Sequence, residues 1–206
     1  MLSLPQIQRH LLDRDYDQLL IDLVRNGTLL PMPLRLRLSQ SPGGCLGLAL
    51  RRVVELTHGP THLGNTIFDG LLAECVTDHD PIVLAACLSG IERARALGAV
   101  GPDQADALEQ CANRLWFALA QRQQHTGLLG AEPDRTETDL ALTSAFVVYL
   151  LAPVSSRAHH LDLSGLLTAL EDRRPLDDRA AEELVQVALA SWPRATPVAR
   201  PLIQAA

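Results

Sequence analysis

The stretch Asp80-Pro-Ile-Val-Leu-Ala-Ala-Cys-Leu-Ser-Gly-Ile91, continuing Glu92-Arg-Ala-Arg-Ala-Leu97 to Gly98, decides the fold class. An aspartate followed by proline starts a helix: the carboxylate accepts from the unpaired N–H groups of the first turn, and proline has no N–H to leave unpaired. Gly98 is the matching stop. Through Ile91 the residues are apolar on every side rather than along one stripe, so the spacing predicts a helix over 81–97 buried all round. The run Glu137-Thr-Asp-Leu-Ala-Leu-Thr-Ser-Ala-Phe-Val-Val-Tyr-Leu-Leu-Ala152, closed by Pro153, predicts a second helix of the same kind. Amphipathic segments alternate with these two. Residues 103–124 turn Leu108, Cys111, Ala112, Leu115 and Leu119 to one side, and residues 178–192, capped by Asp177 or Asp178, align Ala181, Leu184, Val185, Ala188 and Trp192. Fully buried helices alternating with one-sided ones imply an all-α fold with an inner and an outer layer of antiparallel hairpins, the arrangement of α/α solenoids and closed α/α toroids.

Working outward, residues 5–26 read as one or two short helices, with Tyr16, Leu19, Leu20, Leu23 and Val24 on one face and Asn26-Gly27 as a stop. Leu34-Arg-Leu-Arg-Leu38 alternates with a period of two, the one strand-like pattern in the chain, and reads as an extended arm. Ser39 to Gly44 is rich in turn formers. A helix over 45–57 places Leu46, Leu50, Val53 and Val54 inward. His58 to Gly64 is a loop, and Asn65 caps a helix carrying Ile67, Phe68, Leu71, Leu72 and Cys75. Ser164 caps a short helix to about Asp172. Beyond Trp192 come Pro193, Pro197 and Pro201, which favour an extended tail. The expected organisation is a helix and arm over 1–40, an α/α helical domain over 41–192 and a tail over 193–206.

The 206 residues are 47% hydrophobic and 20% charged, enough for one sizeable core. Aromatics are 3%, so Leu, Ala and Val fill it. A net charge of −6 argues against a nucleic-acid partner and against an acidic membrane surface. There is no lysine; all 18 positive charges are arginine. That excludes Schiff-base and Walker-lysine chemistry, and with abundant Ala, Leu and Asp it points to a GC-rich bacterial source and a role in secondary metabolism. The apolar run Leu140–Ala152 is shorter than the roughly 20 residues a membrane span needs. Asp13 and Asp15 fall where a signal peptide requires an apolar run, so a cytoplasmic protein is expected. Cys45, Cys75, Cys87 and Cys111 show no CxxC spacing and read as reduced, buried thiols.

Two segments carry a resemblance. Ala118-Leu-Ala-Gln-Arg-Gln-Gln-His-Thr-Gly-Leu-Leu-Gly130 followed by Glu137-Thr-Asp-Leu-Ala-Leu-Thr-Ser-Ala145, and more faintly Leu50 to Gly64 followed by Asp80-Pro-Ile-Val-Leu-Ala-Ala86, resemble the α/α-toroid repeat of terpene cyclases and protein prenyltransferases. There an outer helix ends in a Gln- and Gly-rich turn and an acidic residue opens an inner helix. The resemblance spans about residues 45–152 and implies roughly half a ring. It also implies a role for Asp78-His79-Asp80, which stands where class II terpene cyclases carry an acidic motif: Asp80 would protonate the substrate with Asp78 beside it, although Pro81 replaces the motif's last aspartate. Read without the resemblance, Asp80 is a helix cap beside a surface acid and a histidine.

Cys45 follows Gly43-Gly44 at a predicted helix start, where the helix dipole favours a thiolate nucleophile; otherwise it is a small residue after a turn. His58, His62, His79 and His125 lie in or beside predicted loops and are the candidate ligand-binding residues. They lack the spacing of a metal site, so no metal and no cofactor is expected. The polar loop Gln121–Glu137 is long for a helix connection, as binding loops often are. The expected function is a non-catalytic accessory or binding protein that presents loops and arms to a protein, a peptide or a small apolar ligand, with a homo-oligomer or a protein partner. The alternative is a small enzyme using Asp80 as acid or Cys45 as nucleophile.

Overall fold

The structure, a computed structural model, describes residues 2–26, 32–74, 80–130, 136–157 and 161–192. These residues are mostly helical and contain no strand. In chain order the helices are α1 (Leu4–Asp13), α2 (Tyr16–Arg25), α3 (Met32–Ser39), α4 (Pro42–Thr57), α5 (His62–Glu74), α6 (Pro81–Leu97), α7 (Ala105–Ala120), α8 (Glu137–Leu151), α9 (Leu163–Asp172) and α10 (Arg179–Ser191). Short 3-10 segments cover Pro102–Gln104 and Ala152–Arg157.

Helix α6 forms where its flanking residues predict. The Asp80 carboxylate accepts from the Ile82 N–H at 2.9 Å, Pro81 fills the first position, and Gly98 closes the helix at φ 57°. Every residue from Pro81 to Glu92 is buried. Helix α8 is capped by Thr136, whose hydroxyl accepts from the Asp139 N–H, and is buried on nearly every side from Leu140 to Leu151. Helix α6 packs against α3, α4, α7 and α8, and α8 packs against α6, α9 and α10. One continuous hydrophobic core draws on residues from Leu2 to Ala188. Each fully buried Leu or Val in it contributes roughly 1.5–3 kcal/mol.

Helices α4 and α6 cross backbone to backbone, and two glycines allow it. A Cβ at Gly47 would run into the backbone at Ala86 and Cys87, and one at Gly90 would run into the Gly47 carbonyl. Polar groups within the core are matched. Ser144 Oγ accepts from the Leu129 N–H at 2.8 Å, and Thr143 Oγ1 accepts from Arg37 Nη1 at 3.1 Å. Glu92, fully buried, accepts from Trp116 Nε1 at 2.9 Å and pairs with Arg95 at 3.2 Å. These pairings explain how polar residues sit inside helices that are otherwise apolar.

The extended arm expected over Leu34–Leu38 is instead part of α3. Five residues cannot separate a period of 2 from one of 3.6: Leu34 and Leu38 are also an i, i+4 pair, and both are buried, while Leu36 points away and is 53% exposed. Other boundaries shift. Helix α5 begins at His62, so Asn65 lies in its first turn; its side chain accepts instead from the Gly101 N–H at 3.2 Å. Asp162, not Ser164, caps α9. As expected, α8 stops before Pro153, at Leu151; a 3-10 segment over Ala152–Arg157 follows it. With that continuation, Glu137–Val154 is long and apolar enough to cross a membrane, yet 67% of it is buried inside the protein. The expected tail beyond Trp192 lies outside the described residues.

Candidate functional site

Helix α1 carries more apolar residues than its inward face uses. Ile7 is buried, but the adjacent pair Leu11-Leu12 cannot share one face, and Leu12 is 77% exposed. Between α1, the start of α2 and α5 lies a groove of about 550 Å³. Leu11, Leu12, Leu63 and Ile67 form its apolar wall with Leu46 from α4. Gln8, Tyr16, His62 and Thr66 supply polar groups. Burial pushes the Tyr16 phenol above its ordinary range, with Cys45 and Glu74 adding to the effect and Arg14 opposing it.

A second, polar cavity of about 450 Å³ adjoins the groove and shares His62 and Thr66 with it. Thr61, Asn65 and Asp69 complete its polar lining. His62 Nδ1 lies 3.1 Å from Thr66 Oγ1, and the Thr66 hydroxyl also lies 2.9 Å from the His62 carbonyl. The Gln104 amide donates to Asp69. A third and smaller cavity, about 120 Å³, includes Asn26, Arg51, Arg52, Glu55 and Tyr149. Arg51 is committed to the protein there, donating to Glu55 at 3.0 Å and to Ser89 at 3.0 Å.

Of the candidate ligand-binding histidines, His62 lies in the groove. His58 is exposed at the C-terminal end of α4 with φ 53° and lines neither cavity at α5. His125 is exposed in the turn after α7. His79, Asp78 and Cys75 lie outside the described residues. Among the described residues no three His, Cys, Asp or Glu side chains are placed to hold a metal ion. The turn after α7 is closed rather than open as far as Gly130: Gln123 donates to Gly127 O at 3.1 Å and to Asp162 O at 2.8 Å, and Leu128 and Leu129 are buried.

Asp80 caps α6 and is held by Arg37 of α3, whose Nε donates to Oδ2 at 2.8 Å and whose Nη2 donates to Oδ1 at 2.6 Å. Arg37 also reaches Thr143, so one guanidinium ties α3, α6 and α8 together. Cys45 is fully buried in α4 and donates to the Leu38 carbonyl at 3.2 Å. Burial, with Asp17 nearby, pushes its thiol up to about 12. That is the direction opposite to an activated thiolate: desolvation outweighs the helix dipole.

Of the groove residues, Leu46 and Ile67 read in the sequence as core positions, and Leu11, Leu12 and Leu63 carry no motif. One signal was present, the adjacent Leu11-Leu12 in a short helix, which leaves one leucine off the buried face. No protein-family model, curated protein or solved structure matches the chain.

Proposed function

We propose that this is a non-catalytic binding protein whose groove between α1 and α5 takes a small, largely apolar ligand. The observation that carries this reading is the groove itself: about 550 Å³, walled by five aliphatic side chains, with Leu12 left 77% exposed at its edge. Ligand sites of about 300–1,000 Å³ with an apolar lining and a few polar groups are the usual form of small-molecule pockets. A leucine so exposed, on a helix whose one buried residue is Ile7, has no role in the core. In this reading the rest of the fold is scaffold, a partial α/α ring in which α6 and α8 are inner helices and α7 and α10 pack on their outer sides. The Asp80–Arg37 clamp and the buried Cys45 belong to that scaffold, and their geometry weighs against the enzyme alternative.

The test is titration with the neutral apolar dye Nile red. Wild type is expected to enhance its fluorescence saturably at one site, and Leu12→Glu to lose the enhancement while melting at an unchanged temperature. Equal enhancement by both proteins would remove the groove from consideration. A groove filled by a second copy or a protein partner would show as dimerisation or complex formation that Leu12→Glu abolishes, with no saturable dye binding.

A further inference from the structure

The apolar groove and the polar cavity beside it meet at the His62–Thr66 pair, which lines both. His62, Thr66 and Asp69 are exposed side chains one and two turns apart along α5, so the polar depression is open to solvent beside the groove. Asp69 is the one carboxylate among the described residues lining either cavity, and no arginine lines them. The hydroxyls of Thr61 and Thr66, the Asn65 amide and the His62 imidazole are the other hydrogen-bonding groups there. Asp69 already accepts one hydrogen bond from Gln104, and a carboxylate has further lone pairs to offer.

We propose that the ligand is a small amphiphile with an aliphatic body and an amine head, the body in the groove against Leu12, Leu63 and Ile67 and the head in the polar cavity against Asp69. This rests on the reading of the groove as a ligand site and adds the head group. The charge pattern carries it. A carboxylate or phosphate head would meet Asp69 with no arginine among the residues lining the polar cavity, whereas an ammonium is attracted to Asp69 and can donate to the Thr61 and Thr66 hydroxyls. Asp69 is exposed, so its attraction is screened. Pairs of this kind give roughly a three- to fivefold preference rather than a hundredfold one.

The experiment compares decylamine, decanol and decanoate, below their aggregation limits, by isothermal titration at pH 7 and low salt. The expected order is decylamine tightest, decanol roughly three- to fivefold weaker, and decanoate weaker again. Asp69→Asn should bring decylamine down to the level of decanol and leave decanol unchanged. Raising the salt to about 0.5 M should have the same effect through screening. Leu12→Glu should abolish decanol binding. Equal binding of all three compounds, or an amine preference that survives Asp69→Asn, would overturn the head-group assignment and leave the groove reading standing. Absence of binding by any of the three would overturn both. Asp69 and Leu12 are exposed, so both variants are expected to fold, and far-ultraviolet circular dichroism melts verify that.

Discussion

At the scale of single residues, Asp80 and Cys45 show how position is set by partners that are distant in the chain. Asp80 was legible as a helix cap, because a cap bonds to the N–H groups that follow it. Its pairing with Arg37, 43 residues earlier, was not, since no local pattern links the two. Both roles are separable by mutation. Asp80→Asn keeps a competent cap but loses the charge, whereas Asp80→Ala loses the cap and leaves the half-buried Arg37 without its main partner. The expected destabilisation is about 1–2 kcal/mol for Asn and about 2–4 kcal/mol for Ala, measured by urea unfolding. Equal losses for the two variants would mean the charge carries the whole effect.

Cys45 yields a prediction in pH. Its folded-state value of about 12 lies above the ordinary 9.0. The folded protein therefore holds the thiol proton where the unfolded chain releases it, and the unfolded state gains from ionisation as pH rises past about 9. The stability tied to this proton is fully present below pH 9 and is lost progressively between about 9 and 12, with a limiting slope of about 1.4 kcal/mol per pH unit. Denaturation midpoints at pH 8 and pH 10.5 should differ less in Cys45→Ala than in wild type. An identical pH dependence in the two proteins would contradict the burial argument. The same burial predicts that Cys45 reacts with a thiol reagent at neutral pH no faster than the rate of unfolding allows.

At the scale of elements, the apolar helices were readable because their signal is long. Helix α6 is apolar from Pro81 through Ile91 and α8 from Leu140 through Leu151, each about three turns long and far beyond the reach of a short strand. The eight residues of α3 were not readable, because Leu34, Leu36 and Leu38 satisfy two periods at once. The α4–α6 crossing was hidden for another reason. Gly47 and Gly90 each weaken their own helix by about 1 kcal/mol relative to Ala, and only the neighbouring backbone explains them. Ala at either position gains that propensity but places a methyl group inside the opposite helix. The expected result is a net loss of about 2–3 kcal/mol each. Gly70→Ala is the control: its Cβ would lie at an ordinary 3.5 Å from Leu46, so stability should be unchanged or rise by about 0.5–1 kcal/mol. Thermal melts of the three variants test this, and equal stability of Gly47→Ala and Gly70→Ala would show that the crossing is looser than described.

At the scale of the whole molecule, the candidate site was the least legible feature. The groove draws on α1, α2, α4 and α5, and none of its residues has unusual chemistry. His62 is a ligand candidate in the sequence because it falls in a predicted loop; Leu12 carries no such mark, being one of many leucines. What distinguishes Leu12 is its exposure, which is known only once the described helices have been packed against one another. The chain's scaffold is thus written in strong periodic signals and its candidate site in the few apolar residues that the scaffold does not use.

The most direct test is a nuclear magnetic resonance titration of isotopically labelled protein with decanol. The account predicts that shifts cluster on Leu11, Leu12, His62, Leu63, Thr66 and Ile67, saturate at one equivalent, and vanish in Leu12→Glu. Shifts that never saturate, or that cluster away from α1 and α5, would contradict it.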